Sequence, residues 1–275
     1  MKILTRATIL ISLIIFCLPV MSESTLKILS TTSTRDSGFY NYILPIFEKK
    51  FDIKTYTINT GTGQAIMNGK NCNGDILITH SKYLEDNFVK NGYGLSRKNL
   101  MHNRYVLIGP AKYKELFENT RSVIDAYNII YSNKIKFVSR GDESGTHLSE
   151  KKIWNNANLN LNSENLWYLS VGQGMGPTLN MAIAMNSVTY SDIATWLKFA
   201  NKGDHVILFE GDDMMTNQYG ITLINPNHCK NINHDDAKIF HKWMLSDEGQ
   251  RIIGQYKYNN IPLFRPNLLK YEIGK

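Results

Sequence analysis

Beyond its first two dozen residues the chain has no apolar stretch approaching the roughly 18 consecutive residues that a membrane-spanning helix needs, so a soluble body is expected. No run of Lys and Arg exceeds three residues, and basic side chains are interspersed with acidic ones. The formal charge of +7 therefore does not point to nucleic acid. A modest positive field instead favours capture of a small anion. Internal repeats, low-complexity stretches and floppy linkers are absent, which disfavours a structural or adhesive protein. Cysteine is scarce, with three in 275 residues, at spacings that carry no metal signature. What is present, 43% apolar residues, suffices for two modest cores.

The N-terminus reads as an export signal. Lys2 and Arg6 precede a short apolar run, Ile9–Val20, and the small residues Ser22 and Ser24 follow. Residues 1–24 are expected to be a signal peptide and the mature chain periplasmic. Cys17 follows Phe16 rather than a small residue, which argues against lipid attachment. Cleavage after Ser24 leaves Cys72 and Cys229, which can pair in an oxidising compartment; geometry decides whether they do.

The remaining pattern alternates strand and helix, predicting an α/β fold with parallel sheets. Strands are expected at Leu26–Leu29, Lys54–Ile58, Ile76–Thr79 and Tyr105–Ile108. A helix over Phe39, Tyr42, Ile43, Ile46 and Phe47 starts from Asp36 or Ser37, with Pro45 kinking it or limiting its hydrogen bonds. A second series begins near residue 111. It has strands at Ile135–Ser139, Leu166–Val171, Val206–Phe209 and Ile221–Ile224. Its helices are Ser144–Asn156, Pro177–Asn186, Ser191–Ala200 and the amphipathic Asp235–Leu245.

Four places share one grammar of strand, small polar loop and helix start: Ser30–Ser37, Gly61–Gly63, Ser139–Thr146 (SRGDESGT) and Gly172–Gly176 (GQGMG). A helix N-terminus leaves N–H groups unpaired and carries partial positive charge, so it accepts an anion. Ser and Thr add donors without charge, and in open α/β sheets ligands sit beyond the carboxyl ends of strands. Each loop alone is equally an ordinary helix cap. None is a nucleotide motif: GQGMG lacks the dinucleotide spacing, and GxxxxGK[ST] is absent. Arg140 is the guanidinium inside loop three, able to grip two anion oxygens or to pair with Asp142 or Asp36.

In chain order, TTSTRDSG, GTGQA, GDILITH, NGYGLSRKNLMHNRYVLIGP, SRGDESGTH, GQGMGPTLNMA and EGDDMMTNQYG resemble the tungstate-binding proteins of ABC-type uptake systems, over Leu26 to about Pro266. The resemblance implies a two-lobed periplasmic-binding-protein fold. Two α/β lobes would be joined by two crossing strands, near Tyr105–Pro110 and Tyr219–Asn225, with a ligand cleft between. Lobe one would comprise residues 25–108 and 221–275, and lobe two residues 109–220. The family's first motif places ligand contacts on Thr32 and Ser33, with Thr31 beside them. Its arginine motif places them on Arg140 and Thr146, then Ser144 and Ser139. Thr62, Gly63, Gly174, Met175 and Gly176 would add hydroxyl or backbone donors. Ser30 stands where the family usually has Thr, and Ile193-Ala194 where it tends to have Arg-Gly, so an arginine role there is lost. Gln218 replaces a common proline.

The implied function is capture of tungstate, or molybdate, by a monomer that delivers it to a membrane permease, with no cofactor and no bound metal ion. Phosphate or sulfate is the nearest alternative ligand. Phosphate carries a proton at neutral pH and calls for an acceptor such as Asp36, Asp142 or Glu143. A hydrolase built on Ser144 or Ser33 with His147 or His80 as base is the rival from another class, but GxSxG is absent. His147 reads as a surface or cap residue and His80 as structural or cleft-facing. No other histidine has metal-ligand spacing. Trp154, Trp167 and Trp196 in lobe two and Trp243 in lobe one read as core residues.

Overall fold

The computed structural model describes residues 25–162 and 164–267; the expected signal peptide and Cys17 lie outside them. Lobe one opens with β1 (Thr25–Thr31), α1 (Thr32–Asp36), α2 (Phe39–Phe51), β2 (Lys54–Thr60), α3 (Thr62–Lys70), β3 (Ile76–Thr79) and α4 (Lys82–Lys90). The long strand β4 (Gly94–Pro110) leads into α5 (Lys114–Phe117), α6 (Val123–Ser132), β5 (Phe137–Ser139), α7 (Gly145–Asn156), β6 (Tyr168–Ser170), α8 (Met175–Ala184), β7 (Val188–Asp192), α9 (Ile193–Lys198) and β8 (His205–Phe209). The chain returns through β9 (Thr216–Ile224), α10 (His234–Met244), α11 (Asp247–Gln255) and the short strands β10 (Lys257–Tyr258), β11 (Ile261–Pro262) and β12 (Arg265–Pro266).

The strands follow the order β2-β1-β3-β9-β4-β7-β5-β6. Strand β1 pairs in parallel with β2 and β3, and β5 in parallel with β6 and β7. Helices cover the centre of this sheet, and all four residues of β3, the apolar run ILIT, are buried. β4 joins the halves. It pairs antiparallel with β9 through Arg104, then with β7 from Tyr105 to Ile108 and with β8 from Leu107 to Pro110.

Each lobe has its own core. Phe39, Ile43, Phe47, Phe240 and Trp243 pack in lobe one; Tyr127, Phe137, Ile153 and Trp154 pack in lobe two. Ala194 of α9 joins the lobe-one cluster, and α9 also packs on the lobe-two side through Ile193 and Trp196, so the two lobes are in contact here. Cys72 and Cys229 form a disulfide with Cα atoms 5.4 Å apart, tying the end of α3 to the loop after β9. That sulfur pair and His228 lie close together, but the disulfide leaves no thiolate for a metal.

Several local expectations differ from the structure. The hydroxyl loop is a short helix, α1, capped by Thr31. The cap of α2 is Gly38, at φ 76°, rather than Asp36 or Ser37. Helix α2 runs through Pro45, which faces solvent, where the missing N–H costs least. The residues expected to open a helix at Ser191 belong to β7, and α9 begins at Ile193.

Candidate functional site

The first turns of α1, α3, α7 and α8 meet between the lobes. The Gly145 N–H at the start of α7 donates to Thr62 Oγ1 at the start of α3, 3.1 Å away. Thr32 Oγ1 lies 3.8 Å from where a Cβ on Gly174 would sit, which places α1 against α8. Gly61 and Gly174, the caps of α3 and α8, supply no capping side chain, so the first N–H groups of both helices lack that partner. Gly145 must lack a side chain: a Cβ there would stand 2.6 Å from His80 Nδ1 and 3.1 Å from the His80 carbonyl. The short loop after β3 therefore touches the opposite lobe.

Arg140 is 2% exposed. One guanidinium arm donates from Nη2 to Asp142 Oδ2 at 2.5 Å, while its Nε is buried with no hydrogen-bond partner. The backbone around it is held in place: Arg140 O accepts from Gln173 N–H at 3.1 Å, and Ser139 O from Val171 N–H at 3.1 Å. Asp142 Oδ1 accepts from Ser144 N–H at 3.2 Å. Thr146 is buried, and its hydroxyl has no partner of ordinary geometry. A buried cation with an unused N–H, beside an unused hydroxyl and open helix N-termini, is a set of donors awaiting acceptors.

The hydroxyl cluster divides into scaffold and site. Ser30 donates to Ile78 O and accepts from Tyr40. Thr31 caps α1 and bonds Thr34 at 2.7 Å. Ser33 Oγ bonds His80 Nε2 at 3.1 Å, and Thr32 is half-buried facing α8. In lobe two, Ser139 donates to Glu150 Oε2 at 2.7 Å. Ser144 Oγ caps α7 by accepting from His147 N–H at 3.3 Å. Gly63 is exposed, and the Met175 side chain is buried beside Val106 and Ile108. Gly176 is half-buried in the first turn of α8. The structure thus brings Thr32, Ser33, Thr62, Arg140, Thr146 and Gly174 towards one junction. It directs the hydroxyls of Thr31 and Ser139 into the scaffold.

Sequence reasoning gave too little weight to two residues. His80 is buried, with Nδ1 3.1 Å from the Tyr105 hydroxyl. Burial, then the nearby Arg140 cation, push its pKa down to about 3, against smaller opposing effects of Asn217 and Asp142; the imidazole is neutral at working pH. Asp192 is fully buried at the cap of α9, and Oδ1 accepts from Thr195 N–H at 2.9 Å. Burial raises its pKa, partly offset by Thr195 and by Arg140. The only advance signal for either was its place at the carboxyl end of a strand. His147 is buried rather than at the surface, and its Nδ1 accepts from Glu143 N–H at 3.0 Å.

The carboxylates considered as phosphate acceptors are occupied. Both Asp142 oxygens are bonded, Asp36 pairs with Arg35, and the exposed Glu143 pairs with Lys151. Of the two nucleophile–base pairs, Ser33 and His80 are in hydrogen-bond contact at 3.1 Å, whereas Ser144 and His147 are not paired through their side chains. Ser144 Oγ is bonded to the backbone N–H of His147, whose Nδ1 is occupied by Glu143. His80 is held by a phenol rather than a carboxylate.

Residues 21–248 match the model of the PBP superfamily domain. The chain is 40% identical to the tungstate-binding protein TupA of Peptoclostridium acidaminophilum, over 90% of this chain and 88% of that one. It superposes on the tungstate ABC transporter structure from Geobacter sulfurreducens with a TM-score of 0.79. The identity there is 37%, over 85% of this chain and 99% of that one. The corresponding values for the tungstate-binding protein TupA from Desulfovibrio alaskensis G20 are 0.76 and 36%, over 90% and 100%. Four helix starts converging on a buried arginine between two α/β lobes, together with this similarity over nearly the whole chain, make the chain a member of the tungstate-binding protein family within the PBP superfamily.

Proposed function

We propose that the protein captures tungstate, and molybdate as its near-isostere, in the cleft between the lobes and delivers it to an ABC-type membrane permease. The observation that carries this reading is Arg140: a guanidinium 2% exposed, with one N–H unpartnered. A buried cation is costly unless fully paired, and Asp142 meets only part of its capacity. A tetrahedral dianion can accept from Arg140, from the hydroxyls of Thr32, Ser33, Thr62 and Thr146, and from the first N–H groups of α3 and α8. Charge-assisted hydrogen bonds contribute about 1.5–3 kcal/mol each. Several of them offset dehydration of the ion and the cost of closing the lobes.

Closure is a hinge motion selected by contacts to both lobes. The lobe limits, residues 25–108 with 221–275 and 109–220, are supported within a few residues by the change of β4 partner after Arg104. Export to the periplasm and action as a monomer complete the proposal. The site reads as one for binding: its donors need no cofactor, and the imidazole that meets Ser33, His80, is backed by the Tyr105 phenol rather than by a carboxylate.

Asp192 favours a second ligand. Its Oδ2 is buried without a hydrogen-bond partner and lies within the electrostatic reach of Arg140, so it can accept from an oxyanion that carries a proton, such as hydrogen phosphate. Calorimetric competition separates the two. Phosphate at millimolar concentration should leave the tungstate isotherm unchanged; displacement of tungstate by phosphate would favour the Asp192 reading.

A further inference from the structure

His80 lies in a chain of contacts that spans the cleft. Ser33 of α1 bonds its Nε2 at 3.1 Å and Tyr105 of β4 bonds its Nδ1 at 3.1 Å. The Thr146 hydroxyl of α7 is close enough to influence the Tyr105 phenol, but makes no bond of ordinary geometry. The ring also lies against Tyr219, centroids 5.0 Å apart, and against Gly145 of the other lobe. A neutral imidazole has one N–H and one lone pair, so this chain has two polarities.

With the proton on Nδ1, His80 donates to Tyr105 and Ser33 must donate to Nε2. The Ser33 hydrogen is then turned away from the cleft, which faces a Ser33 lone pair instead. With the proton on Nε2, His80 donates to Ser33 Oγ and Tyr105 donates to Nδ1. The Ser33 hydrogen is then released from His80 and can point at a ligand or at Thr31 Oγ1, 3.2 Å away. A fully deprotonated tetrahedral oxyanion offers only acceptors. It gains the Ser33 donor in the second polarity and meets a repelling lone pair in the first.

We infer that His80 is a positioning residue for the oxyanion, holding its proton on Nε2 so that the Ser33 hydroxyl is free to donate into the cleft. This rests on the tungstate-binding reading and adds a mechanism for choosing deprotonated ligands. An oxyanion bearing a proton would be served by the opposite tautomer, in which Ser33 can accept, so the imidazole contributes to discrimination without touching the ligand.

The direct test is nitrogen-15 NMR of the histidine-labelled protein with saturating tungstate, the His80 signals assigned by their loss in His80→Gln. Proton attachment to Nε2 is expected, and attachment to Nδ1 would overturn the inference while leaving tungstate binding intact. A double-mutant cycle gives a second readout. Gln places an amide donor near the position of Nε2, so His80→Gln should bind tungstate within tenfold of the unaltered protein. His80→Leu should lose more than tenfold, and Ser33→Ala should then cost little further. Full additivity of Ser33→Ala and His80→Leu would show that His80 does not act through Ser33. If the unaltered protein binds none of tungstate, molybdate and sulfate, the functional reading itself falls, and this inference with it.

Discussion

Replacing Arg140 by Ala is the perturbation whose effect the structure defines best. The side chain is 2% exposed and is bonded to Asp142, itself 16% exposed, at 2.5 Å. Truncation removes at least one charge-assisted bond to the ligand, about 1.5–3 kcal/mol. It also leaves the Asp142 carboxylate without its cation and facing an incoming dianion. Removing one partner of a buried pair costs about 3–5 kcal/mol, and like-charge repulsion acts in the same direction. The stability cost is shared by the free and bound protein, so the loss of tungstate affinity comes from the lost bond and the repulsion and should be on the order of 10²-fold. Arg140→Lys keeps the charge but loses the planar fork, so it should fall between Ala and the native protein. Adding Asp142→Asn to Arg140→Ala should recover part of the loss, because the orphaned carboxylate is gone. Calorimetric titration measures each affinity, and a thermal melt confirms that each variant is folded. If folded Arg140→Ala binds tungstate within about threefold of the native protein, the assigned role of the guanidinium is wrong.

Gly145→Ala should weaken tungstate binding at least tenfold, because the new methyl would meet His80 across the junction of the lobes; unchanged affinity would show that this close approach is not needed for binding. Reducing the disulfide that joins Cys72 to Cys229 across 157 residues should destabilise the protein by about 2–4 kcal/mol in urea unfolding, and an unchanged midpoint would refute that. Glu150 is an acid whose folded pKa burial raises to about 7, against hydrogen bonds from Ser139, Tyr168 and Trp154. Its unfolded form ionises first, so stability should fall as pH rises from about 4.5 to about 7 and level off above. Glu150→Gln should remove that part of the decline, read as the difference between the two pH profiles; parallel profiles would contradict the shift.

The apolar cores of β1 and β3 were legible because parallel strands buried on both faces are continuous hydrophobic runs: Leu26, Ile28 and Leu29, then Ile76–Ile78. Strand β7 was not. Val188–Asp192 reads VTYSD, polar at alternate positions, yet every residue is buried because Thr189 bonds the Val138 carbonyl and Asp192 caps the next helix. The first half of β4 was hidden by its exposed Ser96, Lys98 and Asn99. In the site, the glycine–hydroxyl grammar located the helix starts, but could not say which hydroxyl faces the cleft. That depends on partners distant in sequence: Ile78 for Ser30, Glu150 for Ser139, His80 for Ser33. The contact of Thr62 with Gly145, 83 residues apart, exists only because the lobes meet, and no local pattern encodes it. Arg140 was legible as the guanidinium of the SRGDESGT loop. Its partner Asp142, two residues away, was one of the two carboxylates considered, the distant Asp36 being the other.

The central claim is that the interlobe cleft is a donor-rich socket for a fully deprotonated tetrahedral oxyanion. Parallel calorimetric titration of the mature chain with tungstate, molybdate, sulfate and phosphate at neutral pH tests it most directly. The account predicts one site per chain, saturated by tungstate and molybdate, with phosphate giving no comparable heat. Tightest binding of phosphate, or no binding of any of the four, would contradict it.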